Sequence, residues 1–188
     1  MSESTKNLDA DELLHLAVRA SDQNNAGQAI AFLKEAIAKR PDFAQAFHLL
    51  GAEHAQLGMY DRAMEDMEKA IALDPGMMIT RFQLGLLYLG ARQPEKAAAM
   101  WSPLDGLGEQ HALFHFKKGL SHLAKDEFRP CLIALKRGIE LNNFSQALNV
   151  DMTKFIHDVE PLVDDQNSDD GDAGHLFLSA YNGNVSKH

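Results

Sequence analysis

Apolar residues recur along most of the chain at three- and four-residue intervals, the spacing of an α-helix with one buried face. Within residues 44–77, Phe47, Leu50, Gly51 and His54 share one such face. The segment Leu57-Gly58-Met59-Tyr60-Asp61 interrupts it, and Met64, Met67, Ala70, Ile71 and Leu73 resume it as far as Asp74-Pro75-Gly76. Gly58 suits a helix C-cap, and Pro75 with Gly76 ends the second run. No stretch alternates β-branched and aromatic residues with polar ones, so the predicted class is all-α.

The pattern is periodic. From Ala10 the chain divides without gaps into four 34-residue segments, 10–43, 44–77, 78–111 and 112–145. Small residues stand at the eighth position (Ala17, Gly51, Gly85, Gly119) and at the twentieth (Ala29, Ala63, Ala97, Cys131). The twenty-seventh position holds Ala36, Ala70, Leu104 and Gly138, and large apolar residues recur at the twenty-fourth as Leu33, Met67, Trp101 and Leu135. Small and large residues at fixed offsets predict two closely apposed helices per unit.

Gly51, Tyr60, Ala63, Met67, Ala70 and Pro75 stand where the tetratricopeptide repeat (TPR) family has its motif residues, and the other three segments match that pattern more loosely. The chain therefore resembles that family over residues 10–145. The resemblance implies a right-handed α-solenoid of four TPR helix pairs whose concave inner surface takes extended or helical peptides. There are departures. Pro103 falls inside the second helix of the third segment and predicts a shortened helix ending near Ser102, with Gly106 and Gly108 in the loop beyond. Asn143 replaces the closing proline of the fourth segment.

Either side of the repeats lie residues 1–9, an N-terminal extension, and residues 146–163, where Leu148, Met152, Phe155, Val159 and Leu162 form one stripe. That stripe predicts a C-terminal capping helix, with Pro161 and Asp164 marking its end. Residues 164–188 read as a flexible tail. Its acidic linker carries Asp164, Asp165, Asp169, Asp170 and Asp172, and an apolar motif of Leu176, Phe177, Leu178 and Tyr181 follows.

Composition narrows the function. Lys and Arg total 18 against 27 Asp and Glu, a formal charge of −9, which excludes nucleic acid and membrane as main partners because both demand basic stripes. One cysteine, Cys131, makes no internal disulfide and fits a reducing compartment, and no export signal or membrane span is read, so a cytoplasmic location is expected. No nucleophile motif, phosphate-binding glycine loop or Cys-x-x-Cys pair is present, so no enzyme activity and no cofactor are expected. His111, His115 and His122, spaced four and seven apart, form a conceivable metal face; helix packing is the better reading of them, and no metal is expected. Cys131 and the eight methionines read as core filling.

The side of each first helix turned away from its partner comprises positions two, five, nine, twelve and thirteen, which by the resemblance line the inner surface. These are Asp11, Leu14, Val18, Ser21 and Asp22, then Gln45, His48, Ala52, Ala55 and Gln56. In the next two segments they include Ile79, Phe82, Leu86 and Leu89, then Leu113, Phe116, Leu120 and Leu123. An exposed stripe of eight large apolar side chains predicts a groove for the apolar face of a partner peptide, with a chaperone or adaptor role. The secretion-system chaperones of the same family offer an analogy of that kind. The tail motif is a second candidate ligand for this groove, in cis or from another copy, or else a recognition motif for another protein. The alternative function is a structural subunit that self-associates through the apolar surface or the tail.

Overall fold

The computed structural model describes residues 7–165, and every element within them is helical. The order is α1 (Ala10–Asp22), α2 (Ala26–Lys39), α3 (Ala44–Gln56), α4 (Tyr60–Leu73), α5 (Met78–Gly90), α6 (Pro94–Trp101), α7 (Ala112–Leu123), α8 (Phe128–Leu141) and α9 (Gln146–Asp165), with a 3₁₀ segment at Ser102–Leu107 between α6 and α7. The expected all-α class is the observed one. Helices α1, α3, α5 and α7 start 34 residues apart, as do α2, α4, α6 and α8. Two compact units are present, one up to Leu87 and one from Tyr88 onward, with the boundary inside α5.

Short turns fold α1 with α2, α3 with α4 and α7 with α8 into helical hairpins, and a turn of the same kind follows α5. The residues at the bend, Asn24, Gly58, Arg92 and Asp126, all have positive φ, between 57° and 72°. Asn24, Gly58 and Arg92 sit two residues past their helices and Asp126 three, and the amide of the following residue returns to a carbonyl in the last turn: Asn25 to Ala20, Met59 to His54, Gln93 to Tyr88 and Glu127 to His122, at 2.8–3.0 Å. These are Schellman caps, which satisfy carbonyls that a helix end otherwise leaves unpaired. Gly58 was legible as a cap. The other three are not glycine, and Asn and Asp tolerate the left-handed region better than Arg does. At the other end of α1, Asp9 accepts from the Glu12 amide and the Glu12 carboxylate accepts from the Asp9 amide, both at 2.8 Å, a reciprocal capping box.

The residues at the repeated small and large positions form the core of each hairpin. Ala29, Ala63, Ala97 and Cys131 are at most 1% exposed, and Leu33, Met67, Trp101 and Leu135 at most 2%. Missing side chains set the approach of the helices. A Cβ on Gly51 would lie 2.8 Å from Met67 Cγ, one on Gly119 would lie 2.6 Å from Leu135, and one on Gly138 would lie 2.3 Å from the ring of Phe116.

Proline acts differently at its two informative positions. Before Pro103, α6 stops at Trp101 after eight residues and the chain tightens into the 3₁₀ segment, the shortened helix expected from the missing backbone bond. Pro161 does not interrupt α9, which continues to Asp165, one residue past the Asp164 expected with Pro161 to mark its end. Pro161 is on the exposed side, while Val159 is buried and Leu162 and Val163 are half-buried, so apolar contact on the other side holds the last turn despite one lost bond. The buried stripe of α9 is Leu148, Met152, Phe155, Ile156 and Val159, and it packs on α8 within the second unit.

Three glycine-to-alanine substitutions separate the forces at work, and urea unfolding followed by circular dichroism measures each. Gly27, in α2 with open space around it, is expected to gain up to about 1 kcal/mol of stability. Gly58 has the same open space but φ of +72°, and is expected to lose about 1 kcal/mol. Gly138 faces a buried ring that has nowhere to move, and is expected to lose about 1–3 kcal/mol.

Candidate functional site

The stripe expected to line a groove is for the most part core. Of its eight residues, Phe82, Phe116 and Leu120 are 0% exposed, Leu113 1%, Leu123 2% and Leu89 7%. Leu86 is half-buried, and Ile79 alone is exposed, at 38%. The expectation that all eight stand uncovered is therefore corrected for these six. Phe116 shows why: Gly138 opens a notch in α8 and the ring fills it, so position five of this hairpin packs inward. The tail motif of Leu176, Phe177, Leu178 and Tyr181 lies outside the described residues.

At these inner-surface positions, accessible apolar side chains occur in the unit up to Leu87, where the sequence pattern is more polar. Val18 on α1 is 40% exposed and Ile79 on α5 38%, with Leu14 half-buried; Val18 and Leu14 stand at positions nine and five of the first segment, Ile79 at position two of the third. On α3 the equivalent positions are Gln45, exposed, and His48 and Ala52, half-buried. Nδ1 of His48 is hydrogen-bonded to the hydroxyl of Thr80 at 3.1 Å, which ties α3 to α5. Burial pushes the His48 imidazole below its ordinary value of 6.5, so it stands neutral at physiological pH. Asp11, at position two of α1, is held by both guanidinium nitrogens of Arg40, and that hydrogen bonding lowers its carboxyl below the usual range. Arg40 in turn lies over the ring of Phe43, 4.2 Å from its centroid.

A second polar contact is structural. His54 on α3 and Asp66 on α4 join at 2.6 Å inside their hairpin, where burial raises the Asp66 carboxyl and the bond to His54 opposes that shift.

The histidines singled out as a conceivable metal face each have a different partner. The side chain of His111 accepts from the amide of Leu113 at the start of α7, His115 donates from Nε2 to the carbonyl of Glu109 at 2.9 Å, and His122 pairs with Glu127. Among the described residues no group of three His, Cys, Asp or Glu side chains is placed to hold a metal ion, and no helix is long and apolar enough to cross a membrane. Cys131 is fully buried, and loss of solvation pushes its thiol up to about 12.

Residues 44–77 match the tetratricopeptide repeat family. Several solved structures share the fold. PilW, described as a widely conserved type IV pilus biogenesis factor, is 16% identical with a TM-score of 0.67, over 94% of this chain and 77% of its own. A MamA fragment beginning at residue 41, from Desulfovibrio magneticus, is 16% identical with a TM-score of 0.61, covering 94% of this chain and 92% of the fragment. An O-GlcNAc transferase from Thermobaculum terrenum is 22% identical with a TM-score of 0.60, over 70% of this chain but only 26% of the transferase. Helix pairs of this repeat are protein-interaction scaffolds, and the transferase is a larger protein of which this chain matches about a quarter.

Two measurements check the electrostatics. His48 binds a proton more readily in the unfolded chain than in the fold, so the stability it contributes is present above pH 6.5 and is lost as pH falls from there through its lower folded value. The urea midpoint of the wild type is expected to drop between about pH 7.5 and about pH 5.5, and to drop less in His48→Gln. Cys131 is expected to resist a thiol reagent at about pH 8 in the native protein and to react fully once denatured.

Proposed function

We propose that this chain, which carries a tetratricopeptide repeat at residues 44–77, is a non-catalytic protein-interaction module in the cytoplasm that takes an apolar or amphipathic segment of another protein. Its contact surface is the side of α1, α3 and the first turn of α5 bearing Leu14, Val18, His48, Ala52 and Ile79. The observation that carries this reading is the exposure of Val18 and Ile79 at 40% and 38%, at repeat positions whose counterparts from Leu113 to Leu123 are core.

The chemistry suits one class of ligand. Two isolated apolar side chains beside half-buried ones receive anchors spaced i, i+3, i+4 and i+7 on a partner helix. A neutral histidine and the amide of Gln45 supply directional hydrogen bonds at the rim without charge. Each well-covered anchor contributes about 1.5–3 kcal/mol before ordering costs, which makes micromolar binding the natural scale. Asp11 is already held by Arg40, so the surface offers little to a strongly charged peptide. An adaptor or escort role follows, since such a surface shields an apolar segment and releases it.

Affinity capture from the native host tests this with the wild type, a Val18→Glu/Ile79→Glu variant and an Ala31→Glu control on the exposed side of α2. Bound proteins are expected to fall by about tenfold or more in the double variant and to persist in the control. Equal capture by all three overturns the reading. Growth of mass with concentration in sedimentation, without any client and abolished by the same double variant, would establish self-assembly as the use of this surface instead.

A further inference from the structure

A second apolar site lies in the other unit, on the solvent-facing side of α8. Ile133 is 72% exposed, more than any other large apolar side chain among the described residues. The repeat does not require it: the equivalent positions hold Ala31, Glu65 and Ala99, all exposed. Its helical neighbours are cationic, with Arg129 and Arg137 four residues away on either side and Lys136 three residues on. A basic strip around one uncovered isoleucine is unusual in a chain of net charge −9.

The register of the α8–α9 hairpin says what lies beside this strip. Lys136 Nζ meets Glu160 Oε1 at 2.8 Å, and the two helices are joined by four residues, so they run in opposite directions with 136 opposite 160. Counting along the hairpin, Val163 comes level with Ile133, and α9 ends two residues later at Asp165. α9 therefore ends near the height of Ile133. The chain beyond it, residues 166–188, carries Asp169, Asp170 and Asp172, then Leu176, Phe177, Leu178 and Tyr181, and no lysine or arginine before Lys187. Acid followed by apolar residues complements a basic strip with an apolar centre.

We propose that the C-terminal segment folds back along α8 of its own chain, setting its aspartates against Arg129, Lys136 and Arg137 and covering Ile133 with Leu176 and Phe177. Reach is sufficient. Leu176 is eleven positions along the chain from Asp165, a length spanning roughly 18 Å on average and at most about 36 Å, while the whole of α8 is about 21 Å long. Glu140 and Glu160 already meet Arg137 and Lys136 in surface pairs, which exchange partners at little cost. An attached segment acts at an effective concentration of the order of millimolar, so it outcompetes a second copy at ordinary protein concentrations. The consequence is a self-shielded patch: the tail serves as a cover for α8, and the client surface on α1, α3 and α5 stays open.

Paramagnetic relaxation on the full chain tests this. Ser179→Cys carries a nitroxide label beside the motif, while buried Cys131 stays unlabelled. The amides of residues 129–137 are expected to lose intensity, independently of protein concentration. Ile133→Asp, a substitution at an exposed site that leaves the fold intact, and Asp169→Lys/Asp170→Lys/Asp172→Lys in the tail are each expected to restore it. No loss on α8, or loss on α1 and α3 instead, overturns the proposal. So does loss transferred from a labelled chain to the amides of a separate unlabelled-nitroxide chain in a mixed sample, which would make the occupant a second copy.

Discussion

The contact on which the α3–α4 and α7–α8 hairpins depend is a large side chain seated where a Cβ is missing. Met67 over Gly51, Leu135 over Gly119 and Phe116 over Gly138 bring paired helices closer than two side-chain-bearing positions would allow. Once the backbones are that near, the buried alanines at Ala29, Ala63 and Ala97 follow, because nothing larger fits between them. The turn must then reverse the chain in three or four residues. Each Schellman cap does this by accepting one left-handed residue, and it repays the strain with two backbone hydrogen bonds.

The same packing decides where binding chemistry is available. In the unit from Tyr88 onward, the large side chains Leu113, Phe116, Leu120 and Leu123 of α7 are consumed as core, and the ring of Phe116 takes the room that a Cβ on Gly138 would need. In the unit up to Leu87, alanines occupy more of the interior, and Val18 and Ile79 remain at the surface. At the inner-surface positions, then, the segments richest in large apolar residues are the ones that bury them.

Polar interactions refine this frame. The His54–Asp66 pair inside one hairpin and the His48–Thr80 bond between successive first helices both lie where water is scarce, so each is stronger than its surface counterparts. The ion pairs of Arg40, Lys136 and Arg137 are exposed and adjustable. The buried bonds hold the helices in register, while the surface pairs can yield to an incoming acidic segment.

The amino-acid sequence by itself determined the all-helical class, the 34-residue period, the small and large positions of each hairpin and the interruption at Pro103. These are local properties: a missing Cβ or a missing backbone N–H belongs to one residue and acts on its immediate neighbours. Gly58 was equally legible, and Asn24 and Asp126 carried a weaker version of the same turn signal, whereas Arg92 carried none. Only the tertiary structure decided which apolar side chains are covered. Phe82, Leu113, Phe116 and Leu120 share helical positions with Leu14, Ile79 and Val18, yet burial is a sum over atoms contributed by other elements, and no spacing along one helix contains that sum. The sequence carried α9 past Pro161 through its stripe to Leu162, and the contacts of Val159 and its neighbours are what outweigh the single lost hydrogen bond there.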